Sequence, residues 1–161
     1  PEALEIAGGY RVAPGERVFA ERGVAGFYTA SLFKYPCSLL PRLAQGMELG
    51  RSFVAPAYQG SRSLDYLWHG IGAYLRHQPG VRYLFGPVSI SAALPLAARE
   101  QMVAYYSRYF GDAAEGVAAN RPFRFAAAPP DFGPLGADEA FRLLKANLGA
   151  LGTRVPTLYK Q

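Results

Sequence analysis

The chain has 161 residues, of which 50% are apolar and 18% are charged, a composition typical of a globular protein that buries a core. It contains no apolar run of the length needed to span a bilayer and no basic-then-apolar N-terminal segment of the signal-peptide type. One cysteine excludes an internal disulfide and favours a reducing compartment.

The net charge is +5, and 14 arginines stand against three lysines. A basic chain often binds an acidic partner such as nucleic acid, an anionic membrane surface or an acidic protein. An arginine-rich genome explains the same composition equally well. Because the arginines are spread along the chain without a dense basic run, we expect no nucleic-acid partner.

In chain order, the sequence predicts alternating strands and helices and therefore an α/β layered sheet in a single domain, residues 1–161. The helices at 62–77 and 138–151, and a third from Ser89 or Ser91 to residue 110, show apolar residues at helical spacing. Residues 112–136 show no period and are predicted to form a loop. The predicted strands lie at 10–12, 27–33 (FYTASLF), 47–54 (MELGRSFV) and 81–90 (VRYLFGPVSI).

The strands at 47–54 and 81–90 are joined by the 62–77 helix, which makes them parallel neighbours with a right-handed crossover. Gly86-Pro87 must end or distort the ladder of the second strand. The helix between them has one apolar face, and Ser61 or Ser63 is expected to cap its start. The residues of that face are Leu64, Leu67, Trp68, Ile71, Tyr74 and Leu75.

A loop of backbone N–H groups at a helix N-terminus is a ready anion site, and residues 58–63 form such a loop before the 62–77 helix. Arg62 would add positive charge to it. The alternative is that the Gly-Ser sequence only caps the helix.

Glu48 is a carboxylate within an apolar strand, which is costly unless the group is paired or functional. Glu48 and Arg51 face opposite sides of a regular strand, and a bulge at Gly50 would bring them to one face. One interpretation is a structural ion pair at a strand edge. The other is a pair that holds or deprotonates an amine nucleophile.

The remaining polar candidates have plainer explanations. Tyr105, Tyr106 and Tyr109 lie at helical spacing, which is typical of core residues, although one of them is a candidate general acid to a leaving thiolate. His69 and His77 lie off the apolar helix face, and Cys37 is expected to be an ordinary loop thiol. We find no metal-binding constellation in the sequence.

The run ELGRSFVAPAYQGSRSLDYLWHGIGAYL, followed by YLFGPVSIS, resembles the hemolysin-like branch of the Gcn5-related N-acyltransferase (GNAT) superfamily. That branch includes ornithine lipid synthases and is related to acyl-homoserine-lactone synthases. The segments FYTASLF, NRPF and VPTLYKQ are similar to parts of the same branch. The resemblance implies a mixed twisted sheet with helices on both faces and two splayed central parallel strands.

The resemblance implies that an acyl thioester donor is held between the splayed strands, and we expect no permanently bound cofactor and no metal. By resemblance, the phosphopantetheine arm runs along Ser52, Phe53 and Val54, and its phosphate meets the loop formed by Gln59, Gly60, Ser61, Arg62 and Ser63. Acetyl-CoA enzymes usually have a small residue where this chain has Arg62. That departure suits acyl carrier protein as the donor rather than coenzyme A, and the positive chain would attract the acidic carrier protein.

The family's Glu-x-x-Arg pattern falls on Glu48 and Arg51. By resemblance, Glu48 orients or deprotonates the amine, and Arg51 is structural or binds the acceptor carboxylate. Tyr106 is nearest to the position of the family's general acid. Arg11, Phe85 and Ser89 are expected to contact substrate, with Arg11 in the same network as Glu48.

The function implied is transfer of a fatty or 3-hydroxy fatty acyl group to an amino acid, with ornithine as the first acceptor. A cytoplasmic location is implied, with peripheral contact at the inner membrane as a variant. Because the usual N-terminal elements are not evident and the similarity stops at Gln161, we expect the chain to be part of a longer product. The alternative function is a non-catalytic domain that binds acyl carrier protein or an anionic membrane.

Overall fold

The structure is a computed structural model that describes residues 4–60, 62–111 and 116–159. Within those residues the strands are β1 (Gly8–Pro14), β2 (Phe33–Lys34), β3 (Gly46–Val54), β4 (Tyr83–Phe85) and β5 (Ala118–Ala119). The helices are α1 (Gly15–Arg22), α2 (Leu40–Ala44), α3 (Ser63–Arg76), α4 (Leu96–Phe110) and α5 (Ala137–Ala150). Short 3₁₀ turns lie at Val24–Gly26, Thr29–Ser31, Cys37–Leu39, Pro56–Tyr58 and Thr157–Tyr159.

The main sheet has the strand order β1-β3-β4, with β1 antiparallel and β4 parallel to the central strand β3. A second, two-stranded sheet pairs β2 with β5 in antiparallel orientation. The predicted mixed α/β architecture and the parallel pairing around the 62–77 helix are therefore confirmed.

The parallel ladder between β3 and β4 is short. It joins Gly46 to Tyr83, Met47 to Leu84 and Glu48 to Phe85, and β3 then continues to Val54. The predicted strand over 81–90 was too long, because Gly86-Pro87 ends the pairing as the sequence indicated. A Cβ on Gly86 would lie 2.2 Å from the carbonyl oxygen of Leu49, so only glycine fits at this crossing.

β3 carries a bulge one residue beyond the predicted position. Against β1, Gly50 pairs with Arg11 and Phe53 pairs with Gly9, so two residues of β3 stand opposite one residue of β1. Arg51, within the bulge, has a φ of 57°, a left-handed conformation that a residue with a side chain rarely adopts. The bulge reorients the side chains that follow Glu48.

The prediction of a strand at 27–33 was wrong. Residues 29–31 form a 3₁₀ turn, and only Phe33 and Lys34 join a strand. Phe27 is 2% exposed and packs edge-on against Phe19 and Phe85, so the aromatic composition that suggested a strand reflects burial of a turn.

The three long helices confirm the helical spacing. In α3, Ile71 is buried, but Trp68 is 39% exposed, and Ser63 is the first helical residue rather than the cap. Ser61, the other predicted cap, lies outside the described residues. α4 begins after Pro95, later than predicted. α5 ends as predicted, with Gly152 at a φ of 69°.

The chain forms two compact units. The first unit consists of the described residues of 1–87 together with Val117–Asn120, and it contains the main sheet. The second consists of the described residues of 88–116 and 121–161. Its buried core is formed by Ala98, Met102, Ala104, Tyr105, Phe132, Ala140, Leu144, Leu148 and Val155.

Among the helices that the described residues form, none is both long enough and apolar enough to cross a membrane.

Candidate active site

Glu48 lies at the centre of the first unit, at the last rung of the β3–β4 ladder, and its side chain is 1% exposed. Oε1 accepts hydrogen bonds from the backbone N–H of Thr29 at 2.7 Å and from the Thr29 hydroxyl at 2.7 Å. Oε2 accepts from Arg11 Nη2 at 2.8 Å and from the backbone N–H of Tyr28 at 3.1 Å. These four bonds fill the acceptor sites of a carboxylate.

This environment explains how a charge is tolerated in the interior. A buried carboxylate is strongly unfavourable alone, and it becomes tolerable when it is paired with a cation and accepts several hydrogen bonds. Glu48 in turn supplies the partner for two backbone N–H groups of the turn at residues 28–29. The carboxylate therefore fixes both the Arg11 guanidinium and the course of the chain around Thr29.

Arg51 lies beside this network rather than within the ion pair. Its guanidinium carbon is 5.4 Å from the centroid of the Tyr28 ring, a cation–π contact. The backbone N–H of Tyr28 binds Glu48, so Tyr28 joins the two residues of the Glu-x-x-Arg pattern. The structure thus pairs Glu48 with Arg11 and places Arg51 next to them through the bulge.

Phe85, which was predicted to contact substrate, lies next to Glu48 in the main sheet. It is the β4 partner of Glu48, and its ring packs against Phe27 with centroids 5.3 Å apart. A Cβ on Gly46 would lie 2.8 Å from the Phe85 ring, so the ring lies directly on the start of β3.

The proposed donor strand has one paired edge and one open edge. Phe53 and Val54 pair with Gly9 and Gly8 of β1. On the side of β4, the ladder stops at Glu48, and no described strand pairs with residues 49–54 along that edge. Ser52 and Phe53 are exposed. An open edge of this kind presents backbone N–H and C=O groups to a ligand.

The predicted phosphate loop is partly organised by its own side chains. The amide of Gln59 donates to the carbonyl oxygen of Val54 at 3.1 Å, and Gly60 has a φ of 78°. Arg62 precedes α3, lies 3.8 Å from Asp65 and is largely exposed, while Ser63 is the first residue of the helix. Ser61 lies outside the described residues.

Tyr106 and Ser89 belong to the second unit. The Tyr106 hydroxyl donates to the carbonyl oxygen of Tyr159, and burial raises the pKa of Tyr106 to about 12, with contributions from Tyr105 and Tyr159. A hydroxyl with that pKa is a weaker acid than a thiol, whose pKa is about 8.5. The general-acid role of Tyr106 stays a prediction, as does the contact of exposed Ser89 with substrate.

The sequence reasoning missed Thr29 and Tyr35. Thr29 is 2% exposed and gives two hydrogen bonds to Glu48. Burial raises the pKa of Tyr35, a hydrogen bond with the Thr29 side chain lowers it, and the charge of Glu48 raises it further. Both residues lie in or near the segment that was interpreted as a strand, so nothing in the pattern pointed to a turn around a carboxylate.

Replacing Glu48 with Gln tests this network. The Gln amide keeps one acceptor oxygen, but its NH₂ group faces donors where Oε2 accepted from Arg11 and Tyr28. We expect Glu48→Gln to lower the free energy of unfolding by about 2–4 kcal/mol, measured by urea denaturation.

The matched control is Glu21→Gln, which removes the exposed Arg17–Glu21 pair, whose atoms lie 2.9 Å apart. An exposed pair contributes little, so we expect the unfolding midpoint of Glu21→Gln to match that of the wild type. Equal unfolding midpoints for Glu48→Gln and the wild type would contradict the structural role of the carboxylate.

Comparison of the sequence with known proteins finds one matching family and several similar proteins. Residues 2–69 match the family described as acetyltransferase (GNAT) domain. Over 98% of its length the chain is 32% identical to a protein from Bacteroides thetaiotaomicron and 31% identical to one from Phocaeicola vulgatus, both named glycine N(alpha)-acyltransferase. Over 60% of its length it is 37% identical to a Brucella abortus protein named L-ornithine N(alpha)-acyltransferase.

The chain spans about half the length of the first two relatives, 51% and 52%, and 34% of the third. No solved structure matches the chain. The domain match and the likeness to the two glycine relatives along nearly all of the chain confirm the resemblance that the sequence indicated. Residues 2–69 therefore match a GNAT domain, and the chain is similar over 98% of its length to proteins named N-acyltransferases.

Proposed function

We propose that this chain is an acyltransferase domain that moves a fatty acyl group from a thioester to the amine of an amino acid. One observation carries the proposal: the parallel ladder between β3 and β4 stops at Glu48, and β3 continues with an open edge. A thioester arm that hydrogen-bonds along this edge would bring its carbonyl beside the Glu48 network. The names of the relatives support the same reaction class.

The donor we propose is acyl carrier protein. The chain carries a net charge of +5, which favours encounter with an acidic protein. Exposed Arg62 stands at the start of α3, where a single phosphate would meet both the guanidinium and the helix N-terminus. Coenzyme A is the alternative donor, and the same open edge would accept its pantetheine arm.

The acceptor we propose first is glycine. The sequence alone favoured ornithine. However, the relatives named for glycine match 98% of the chain, whereas the relative from Brucella abortus named for ornithine matches 60%. Ornithine stays the second candidate, because the ornithine relatives reach up to 40% identity over the shorter stretch.

In the proposed reaction the amine nitrogen attacks the thioester carbonyl carbon, the oxyanion forms, and the C–S bond then breaks. The amino acid's ammonium first loses one proton to solvent to give the neutral amine that attacks. After the attack the nitrogen loses a second proton and the leaving thiolate gains one, so the reaction releases one proton overall. Backbone N–H groups on the open edge of β3 would stabilise the oxyanion, and holding amine and thioester together would supply much of the rate.

Glu48 acts in this proposal mainly as a positioning residue, because its four acceptor sites are filled. It would hold Arg11 and the turn at residues 28–29, while Arg51, beside the Tyr28 ring, would add positive charge that favours the approach of the acceptor carboxylate. Ser52, Phe53 and Val54 would carry the donor arm. The proposed domain extends over residues 1–161.

An acyl-transfer assay tests the function directly. The full-length protein is incubated with 3-hydroxyacyl carrier protein and either glycine or ornithine, and free thiol and N-acyl product are followed by colorimetry and mass spectrometry. We expect thiol release that depends on the amino acid, with N-acylglycine as the main product. Release no faster than spontaneous hydrolysis would favour a non-catalytic domain that binds acyl carrier protein or an anionic membrane.

Replacing Arg51 with Gly separates function from stability. Glycine adopts a φ of 57° without steric cost, so we expect Arg51→Gly to leave the free energy of unfolding unchanged or to raise it by about 1 kcal/mol. Loss of the guanidinium fork should lower kcat/KM at least about tenfold.

The control for this variant is Arg76→Gln, at the exposed last turn of α3, which should change neither quantity appreciably. Wild-type turnover by Arg51→Gly would show that the guanidinium is dispensable and would remove Arg51 from the site.

A further inference from the structure

A cavity of about 560 Å³ lies in the first unit beside the 3₁₀ turn at Thr29–Ser31. Its walls are partly apolar, from Val24, Ala30 and Phe33, and partly polar, from Lys34, Tyr35 and Asn120. The volume exceeds that of an amino acid and leaves room for ordered water.

The cavity and the Glu48 network share a wall. Thr29 gives its N–H and its hydroxyl to Glu48, and the next residue of the same turn, Ala30, lines the cavity. Tyr35 also lines the cavity, and the Thr29 side chain and the charge of Glu48 both influence the pKa of its hydroxyl. A ligand in the cavity would therefore contact the turn whose Thr29 binds the buried carboxylate.

Two polar residues of the cavity, Lys34 and Asn120, belong to paired backbone segments. Asn120 donates from its backbone N–H to Leu32 at 2.8 Å and from its side-chain amide to the carbonyl oxygen of Ser31 at 3.0 Å. Lys34 is fixed in β2 by pairing with Ala118. Its ammonium forms no ion pair with any residue that the structure describes.

The charges of the lining indicate the class of ligand. Lys34 supplies a positive charge, and the described lining residues include no Asp or Glu. A carboxylate would be attracted to Lys34, while a second ammonium on the ligand would find no partner and would be repelled. The apolar part of the wall suits an uncharged side chain.

We infer that this cavity is the acceptor site, that Lys34 binds the carboxylate of an α-amino acid there, and that the cavity selects an amino acid with an uncharged side chain over a cationic one. This inference rests on the proposed function and deepens it. The Asn120 side-chain oxygen faces no donor among the described residues and would accept a hydrogen bond from the amine.

The test compares Lys34→Met and Lys34→Glu with Lys145→Met, a control at an exposed lysine on α5. Steady-state rates of the full-length protein are measured with saturating acyl carrier protein donor and varied glycine or ornithine. Glycine binding is measured separately by calorimetry.

We expect Lys34→Met to raise the KM for glycine about 10- to 100-fold, the range for loss of a charge-assisted contact, with little change in kcat. Lys34→Glu should shift the ratio of kcat/KM values toward ornithine at least about tenfold, while Lys145→Met behaves as the wild type. Calorimetry should show glycine binding to the wild type and its loss in Lys34→Met.

If the wild type is active and Lys34→Met has an unchanged KM for glycine, the inference is overturned and the proposed function still stands. A rise in the KM of the acyl donor instead would also overturn it, because the cavity would then hold the acyl chain.

If the wild type transfers no acyl group, the proposed function fails. In that case calorimetry decides: Lys34-dependent glycine binding supports the site, and no binding by the wild type overturns it.

Discussion

A single buried carboxylate determines the arrangement of the first unit. Glu48 is almost fully removed from water, and its two oxygens are each bound twice. The energetic requirement is strict, because any partner that moves away leaves a charge or a donor unpaired in the interior. Arg11 on β1 and the turn at Tyr28 and Thr29 are thereby fixed relative to β3.

The geometry of β3 allows one strand to serve two purposes. Up to Glu48 it is paired on both edges, with β1 and β4, which anchors the carboxylate in the sheet. Beyond Glu48 the edge toward β4 is open among the described residues, and the bulge places Arg51 over Tyr28. The left-handed conformation of Arg51 is a local cost of the kind that recurs at functional sites.

Much of the first unit could be predicted from the sequence. The apolar period of α3, the parallel strands around it and the interruption at Gly86-Pro87 are local signals, and each was confirmed. The turn at residues 27–33 was not predictable in this way. Its aromatic and β-branched residues favour a strand, and only the distant Glu48, whose carboxylate binds two N–H groups of the turn, reverses that preference.

The candidate site was likewise predictable only in part. The Glu-x-x-Arg spacing indicated that a bulge would be needed, and the structure has one at Arg51 rather than at Gly50. Arg11 was expected in the network and lies 2.8 Å from Glu48. Thr29 and Tyr35 were missed, since their positions depend on contacts between residues far apart in the chain. Asn120, in the NRPF segment, holds the carbonyl oxygen of Ser31 across 89 positions.

The most direct test of the central claim is a double-mutant cycle on the Arg11–Glu48 pair, with Arg11→Met, Glu48→Gln and the double variant compared by urea denaturation. If the pair anchors the site, the two losses should be strongly non-additive, with a coupling free energy of about 1.5–3 kcal/mol. Losses that add to within about 0.5 kcal/mol would show that the two residues act independently and would contradict this account.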